Sequence, residues 1–257
     1  MSADLQSADP HWPEGVARHV VDIVDSTNAY ASSLAPGLAS PAWVMAAEQT
    51  AGRGRRGRPW VSPRGNFHAS LILHPEGRPD QMALRSFTAA LALHDACVGL
   101  TGLPQAFALK WPNDVLCNGG KMAGILLEST SAGRGVSHLV IGIGVNLIAC
   151  PPAGAIESGA VPPVSLLGET GLRVTPERFL LHLADAFARR EAVFAAEGFA
   201  PLRAAWLARA ARLGEPIRAR TGRTERRGRF ETIDETGALV LIIDGWREAI
   251  PAAEVFF

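Results

Sequence analysis

Between residues 49 and 66 the chain loses every hydrophobic period, while the segments on either side, 42–47 (AWVMAA) and 67–73 (FHASLIL), read as strands. The interruption is rich in arginine and glycine and contains Pro59, Trp60 and Pro63. Loops of this length are uncommon inside compact domains unless function requires them. The fold must therefore be a strand-built scaffold that carries this stretch at its surface.

The rest of the pattern supplies the scaffold. Residues 18–24 (RHVVDIV) read as a strand, and Ser26-Thr27-Asn28 opens a short helix that runs to Pro36-Gly37. Leu84, Phe87, Leu91, His94 and Val98 recur at helical spacing within 80–100, with Asp80 as N-cap. Strand pieces follow at 107–110 and 115–117. Asn118-Gly119-Gly120 signals a hairpin turn into strands at 122–128 and 137–147. Thr175-Pro176 starts an amphipathic helix with Phe179, Leu180, Leu183, Phe187 and Phe194 on its apolar face and Gly198 as its stop. Another helix covers 201–212. After Gly214 the period shortens to strands at 216–220, 226–233, 238–243 and 246–250, with turns at Thr221-Gly222 and Asp244-Gly245. A β-barrel-like unit of about 45 residues needs docking to be stable. The expected division is a flexible leader over 1–17, a main domain over 18–213 and a small domain over 214–257.

Composition bounds the function. A chain of 257 residues is one large domain or one and a half smaller ones. With 47% hydrophobic and 19% charged residues it is neither disordered nor low-complexity. Lys+Arg 25 against Asp+Glu 25 leaves no net charge, which counts against a protein held to nucleic acid by charge alone. Only Lys110 and Lys121 are lysines; every other basic residue is arginine. Cys97, Cys117 and Cys150 fit neither a disulfide framework nor a paired-cysteine metal site. The N-terminal residues lack the basic start and apolar core of a signal peptide. The apolar run 139–149 is too short to span a bilayer and contains Asn146. These features describe a cytoplasmic protein with no membrane partner.

Four stretches could carry chemistry. Residues 52–60 (GRGRRGRPW) match the letters of a dinucleotide fingerprint. That motif needs a helix directly after it, and Pro59 and the missing helical period exclude one. What remains is an anion clamp of glycine backbone and arginine side chains, or a solvated basic loop. Lys110-Trp111-Pro112-Asn113-Asp114-Val115 and Lys121-Met122-Ala123-Gly124-Ile125 are joined by a hairpin that sets two lysines on adjacent strands. They could neutralise a carboxylate and a phosphate together, with Asn113 or Asp114 on a magnesium ion; an ordinary surface hairpin is the alternative. Asp25-Ser26-Thr27-Asn28 reads as a plain N-cap at Ser26 or as polar groups facing a ligand head group. Gly142-Ile143-Gly144-Val145-Asn146 marks close approach of a ligand or of another backbone, or a bulge. The arginines at 218, 220, 223, 226, 227 and 229 read as a solvated hairpin face, or as a dock for an acidic protein partner.

Taken in this order the stretches resemble the biotin protein ligases. The residues carrying the likeness are DSTN at 25–28, EQTAGRGRRGRPW at 48–60, KWPNDV at 110–115, KMAGIL at 121–126 and GIGVN at 142–146. The segment 228–242 (GRF…GALVLI) resembles that family's small terminal domain. The resemblance implies an α+β fold, a mixed β-sheet with flanking helices, followed by a Src-homology-3-like barrel. About 17 residues before the first strand are too few for a winged-helix DNA-binding domain, so the likeness is to the monofunctional members, with no nucleic-acid partner.

The implied activity joins biotin to ATP, as its Mg2+ complex, and passes the biotinyl group to a lysine of a biotin carboxyl carrier domain, of acetyl-CoA carboxylase or another carboxylase. No permanently bound cofactor is implied, and a homodimer is possible. By resemblance Lys121, Arg53 and Arg55 are the catalytic groups. Ser26, Thr27, Asn28, Gln49, Gly52, Arg53 and Gly124 would meet biotin. Arg55, Arg56, Trp60, Lys110, Asn113, Asp114, Lys121 and Asn146 would meet the nucleotide, with Asp114 on magnesium. His68 stands where a bulkier pocket-wall residue is expected. Two rivals remain: a lipoate or octanoate ligase or transferase of related fold, and a non-catalytic nucleic-acid-binding module.

Overall fold

Alternating side chains sort the strands into two faces, and each face finds its own cover. The computed structural model describes residues 9–75, 79–132, 135–152, 160–222 and 224–257. Its first elements are β1 (Ala17–Val24), α1 (Thr27–Leu34), β2 (Ala42–Gln49), β3 (Phe67–Leu73), α2 (Pro79–Ala83), α3 (Arg85–Thr101), β4 (Phe107–Lys110), β5 (Asp114–Cys117), β6 (Gly120–Ala132) and β7 (Gly135–Val145). The seven strands form one sheet in the order β1-β2-β3-β7-β6-β5-β4. Only β1 and β2 run parallel; the other neighbours are antiparallel. Phe67, Ala69 and Leu71 of β3 and Leu139, Ile141, Ile143 and Val145 of β7 enter the main core. Ile72 and Val140 face the other way, under Ala31 and Ala35 of α1 and its following turn.

The main core is closed by α3 together with α5 (Pro176–Glu197) and α6 (Phe199–Leu207); a short α4 (Leu166–Thr170) precedes them. Thr175 caps α5 by accepting the Arg178 N–H, Pro176 fills the first helical position, and Gly198 at φ 74° ends it. The helix expected over 80–100 is broken. Pro79 already lies within α2, so Asp80 is inside a helix and not its N-cap, and α3 begins afresh after Leu84. The helix expected over 201–212 ends at Leu207. Asn118 and Gly119 both have positive φ, 47° and 82°, the backbone of a two-residue hairpin turn.

The remaining strands are β8 (Pro216–Thr221), β9 (Thr224–Ile233), β10 (Leu239–Ile243), β11 (Trp246–Ile250) and β12 (Glu254–Phe256), of which the sequence reading lacked β12. They form an antiparallel sheet in the order β11-β10-β9-β8-β12. Its outer strands do not pair with each other among the described residues, so the expected barrel is open along that seam. This sheet shares the main core through Phe230, Ile233, Leu239 and Leu241. The Trp111 Nε1 donates to the Gly237 carbonyl at 3.1 Å, and the Leu109 backbone exchanges hydrogen bonds with Arg209 and Ala211. At the other end of the chain Trp12 and Val16 pack against the same core; residues 1–8 lie outside the described part. No helix among the described residues is long and apolar enough to cross a membrane.

Candidate active site

Three glycines make a floor without side chains. Gly124 of β6 lies opposite Gly144 of β7, and Gly142 is next along the same face. A methyl group on Gly144 would sit 2.4 Å from the Trp60 Nε1, and one on Gly142 would sit 2.2 Å from the Asn28 Oδ1. Trp60 and Asn28 therefore rest directly on backbone, so side chains of the chain itself stand where the Gly142–Asn146 motif suggested a ligand or another backbone. Above this floor is a cavity of about 540 Å³ lined from β2, β6, β7, the start of α1, the 49–66 loop and β12.

One end of the cavity is lined by hydroxyl and amide groups. Ser26 occupies the N-cap position of α1, yet its side chain makes no capping bond, so the plain-cap reading fails and the residue is left lining the cavity. The Ser70 Oγ lies 2.8 Å from the Thr27 Oγ1 and 2.7 Å from the Asn28 Oδ1, and its single proton bonds to one or the other. Thr27 donates to the Gln49 Oε1 from both its hydroxyl (3.0 Å) and its N–H (2.7 Å). The chain continues from the Gln49 Nε2 to the Ser62 Oγ at 2.8 Å, and from the Ser62 hydroxyl to the Trp60 carbonyl at 3.1 Å. Hydrogen bonds thus run from the sheet into the loop that carries Trp60.

The other end is cationic, and a bulge creates it. The register of β5 on β6 slips between Val115–Ala123 and Leu116–Lys121, leaving Met122 unpaired. Met122 and Ala123 both enter the core. The alternation is thereby reset, and Lys121 comes to the same face as Gly124; its Nζ lies 3.7 Å from where a Gly124 methyl would be. The Lys121 Nζ is 2.7 Å from the Asp114 Oδ1 and 5.7 Å from the centre of the Trp60 ring. The Lys110 Nζ is 3.5 Å from the Asp114 Oδ2. Burial opposes ionisation of Asp114, but Lys121 and Lys110 outweigh it and hold its carboxyl below the usual range. Burial pushes the Lys110 ammonium down, against the pull of Asp114. Arg55 is pushed down chiefly by burial as well, and its Nη1 donates to the Asn113 Oδ1 at 3.4 Å. Asn113 in turn donates to the Ile125 carbonyl at 2.6 Å, and Asn146 to the Val164 carbonyl at 3.1 Å.

The loop folds on itself. Arg53 pairs with Pro59, Gly54 N–H bonds to the Arg58 carbonyl (2.7 Å) and Trp60 N–H to the Gly52 carbonyl (2.9 Å). The Gly54 and Trp60 N–H groups are thus spent within the hairpin. Gly52 does not line the cavity: a methyl there would meet the Trp60 carbonyl at 2.6 Å and the Ser62 Oγ at 2.7 Å, so this glycine serves loop closure. Arg56 does not line it either, and pairs with Glu254 of β12 at 3.3 Å. Arg58 and Arg220 reach the same carboxylate, each at 2.6 Å. The Arg53 Nη2 lies 3.4 Å from the Glu128 Oε1, whose partner oxygen receives the Asn28 Nδ2 at 2.6 Å.

Of the expected site residues, Ser26, Thr27, Asn28, Gln49, Arg53, Arg55, Trp60, Lys110, Asn113, Asp114, Lys121, Gly124 and Asn146 share the cavity. Asp114, the expected magnesium ligand, has the Lys121 Nζ 2.7 Å from its Oδ1 and the Lys110 Nζ 3.5 Å from its Oδ2. No cluster of three potential metal ligands occurs among the described residues. His68 is buried beneath the loop with Nε2 3.2 Å from the Pro63 carbonyl; it props the loop and is not part of the cavity wall. Burial pushes its imidazole down.

The sequence reading missed Glu254, Val255 and Phe256, which close one side of the cavity from β12, and Glu128. Within the arginine cluster, Arg220 meets Glu254, Arg226 meets Glu248 at 2.9 Å and Arg227 meets Glu225 at 2.9 Å, all carboxylates of this chain. Position 223 lies outside the described residues.

Residues 20–146 match the model of the biotin/lipoate A/B protein ligase family, and residues 213–257 match the biotin protein ligase C-terminal domain. A biotin–[acetyl-CoA-carboxylase] ligase of Paracoccus denitrificans is 62% identical over 91% of this chain and 97% of its own length. A bifunctional ligase/repressor of Bacillus subtilis is 31% identical over 94% of this chain and 75% of its own. Among solved structures, the biotin protein ligase of Aquifex aeolicus in complex with biotin and ATP superposes with a TM-score of 0.77 at 25% identity, covering 93% of this chain and 97% of that one.

Proposed function

The chain belongs to the biotin protein ligases, and from that membership we propose that it activates biotin with ATP and transfers the biotinyl group to a lysine of a carboxylase carrier domain. The observation that carries this reading is the two-ended cavity. Hydroxyl and amide groups line one end, ammonium and guanidinium groups the other, over a glycine floor on which Trp60 and Asn28 lie directly against backbone.

The chemistry asks for that division. Biotin has a polar ureido head and a carboxylate tail, and the tail must approach the α-phosphate of ATP. Two anions meet, so their repulsion has to be cancelled by fixed cations. Ser26, Thr27 and Gln49 suit the ureido head. Lys121 suits the junction of carboxylate and α-phosphate, where charge builds as the carboxylate oxygen attacks phosphorus and pyrophosphate leaves. Arg53 and Arg55, carried on the loop, would cover the resulting acyl phosphate and keep water from it. Trp60 and Asn146 would orient the adenylate. Lys110 and Asn113 support the phosphate side, and ATP brings its own magnesium as a substrate complex. In the second step the carrier lysine attacks the acyl carbon and AMP leaves.

The deciding experiment is ATP–pyrophosphate exchange with biotin and with lipoate in separate reactions, followed by mass spectrometry of a carrier domain incubated with the protein, ATP and biotin. Exchange with biotin and a biotinylated carrier lysine are expected. Exchange with lipoate alone would replace this reading by the lipoate one. Salt-sensitive DNA binding without pyrophosphate release would replace it by the nucleic-acid one.

A further inference from the structure

An enzyme that makes a lysine-acylating mixed anhydride exposes its own amines to it. This chain has two lysines, and the fold brings both to one carboxylate at the cavity. We propose that Asp114 is a positioning residue that holds both amines as ammonium ions, out of the acyl-transfer reaction, and that with no lysine elsewhere no lysine of the protein is acylated by its own product. The inference rests on the functional reading above and extends it from the carrier's lysine to the enzyme's.

An amine attacks through its lone pair, and an ammonium has none. The Asp114 side chain is 9% exposed and places one oxygen 2.7 Å from the Lys121 Nζ and the other 3.5 Å from the Lys110 Nζ. A buried carboxylate at these distances favours the charged form of each partner. Lys110 is only 10% exposed, so burial keeps acyl donors from its amine while Asp114 works against the loss of its proton that the same burial favours. Lys121 is 32% exposed and stands over the cavity, so it depends on the ion pair. Beyond the cavity the basic side chains are arginines, whose guanidinium stays protonated and does not acylate under these conditions.

The reaction held in check is simple. The lone pair of the Lys121 Nζ would bond to the acyl carbon, the bond from that carbon to the phosphate oxygen would break, AMP would leave with the electron pair, and the surplus proton on nitrogen would pass to water. Its product is an amide on the side chain that the activation step uses.

The test incubates the full chain with synthetic biotinyl-5′-AMP in one arm and with biotin and MgATP in the other, without carrier. Intact mass and peptide mapping read biotinyl groups on lysine, and pyrophosphate is measured in the ATP arm. The wild type is expected to carry none on either lysine. Asp114→Asn, and Asp114→Ser as a second removal of the charge, are expected to gain up to one biotinyl group at Lys121; Asp114→Glu is expected to stay unmodified. Arg247→Lys replaces a side chain that is 64% exposed on β11 and is expected to become labelled at that position. Labelling of wild-type Lys121, or both charge-removing variants remaining unlabelled while Arg247→Lys is labelled, overturns the role of Asp114. An unlabelled Arg247→Lys overturns the claim that the lysine-free surface protects. Absence of pyrophosphate with the wild type overturns the functional reading instead, and the biotinyl-5′-AMP arm still decides on Asp114.

Discussion

Lys121 is fixed by a carboxylate at 2.7 Å on one side and an indole face on the other, so its charge is aimed before any substrate arrives. A donor positioned in advance of the charge it will meet contributes most in the transition state, and removing one costs about 10²–10³ in rate. Lys121→Ala is expected to lose activation of biotin by about that factor, read by pyrophosphate exchange, with the thermal midpoint nearly unchanged. Normal turnover would move the catalytic role elsewhere. Gly144 makes the complementary case. Its missing side chain is what lets Trp60 lie on the sheet, and Gly144→Ala puts a methyl 2.4 Å from the Trp60 Nε1. The ring must lift, and Lys121 loses its aromatic face. Loss of about 1.4 kcal/mol in ligand binding, a tenfold rise in the biotin dissociation constant, is expected by calorimetric titration. An unchanged constant would show that the floor has slack.

At the scale of elements, the 49–66 loop is held at both ends by different means: the Ser70-Thr27-Gln49-Ser62 hydrogen bonds at its base and Glu254 at its tip. Burial opposes ionisation of Glu254, but Arg220, Arg58 and Arg56 outweigh it and hold its carboxyl below the usual glutamate range. A carboxyl lowered in the folded state lends stability above the ordinary glutamate range and loses it as pH falls through the folded value. Protection of the amides at residues 54–58, exchange being referred to the intrinsic rate at each pH, is therefore expected to be high at neutral pH and to fall in acid, whereas Glu254→Gln should be poorly protected throughout. Equal exchange in the two proteins at neutral pH would rule out the clamp. This clamp also marks the limit of what the sequence discloses. Most strands and α5 were legible because period and caps are local signals, and the motifs named most of the cavity's polar residues. The break between α2 and α3 was not, because Asp80 looks like a cap wherever the chain places it. The bulge at Met122 was not, because it is set by how β5 pairs with β6, and it alone puts Lys121 and Gly124 on one face. Glu254 meets Arg56 and Arg58 across roughly three-quarters of the chain, and no spacing rule reaches that far.

For the whole molecule, the C-terminal sheet is welded to the main domain and not tethered to it. Phe230, Ile233, Leu239 and Leu241 are buried in one core with Trp111 and Trp206, and Gly237 accepts the indole hydrogen bond of Trp111. Unfolding is expected as a single calorimetric transition, and Phe230→Ala should lower stability by about 3–5 kcal/mol without splitting it. Two separated transitions would mean that the sheets hold independently.

The placement of β12 in the cavity wall means that the compartment is walled by one sheet and floored by the other. Glu254, Val255 and Phe256 complete that wall, and Glu254 anchors the arginine loop, so the compartment exists only once the two sheets have docked.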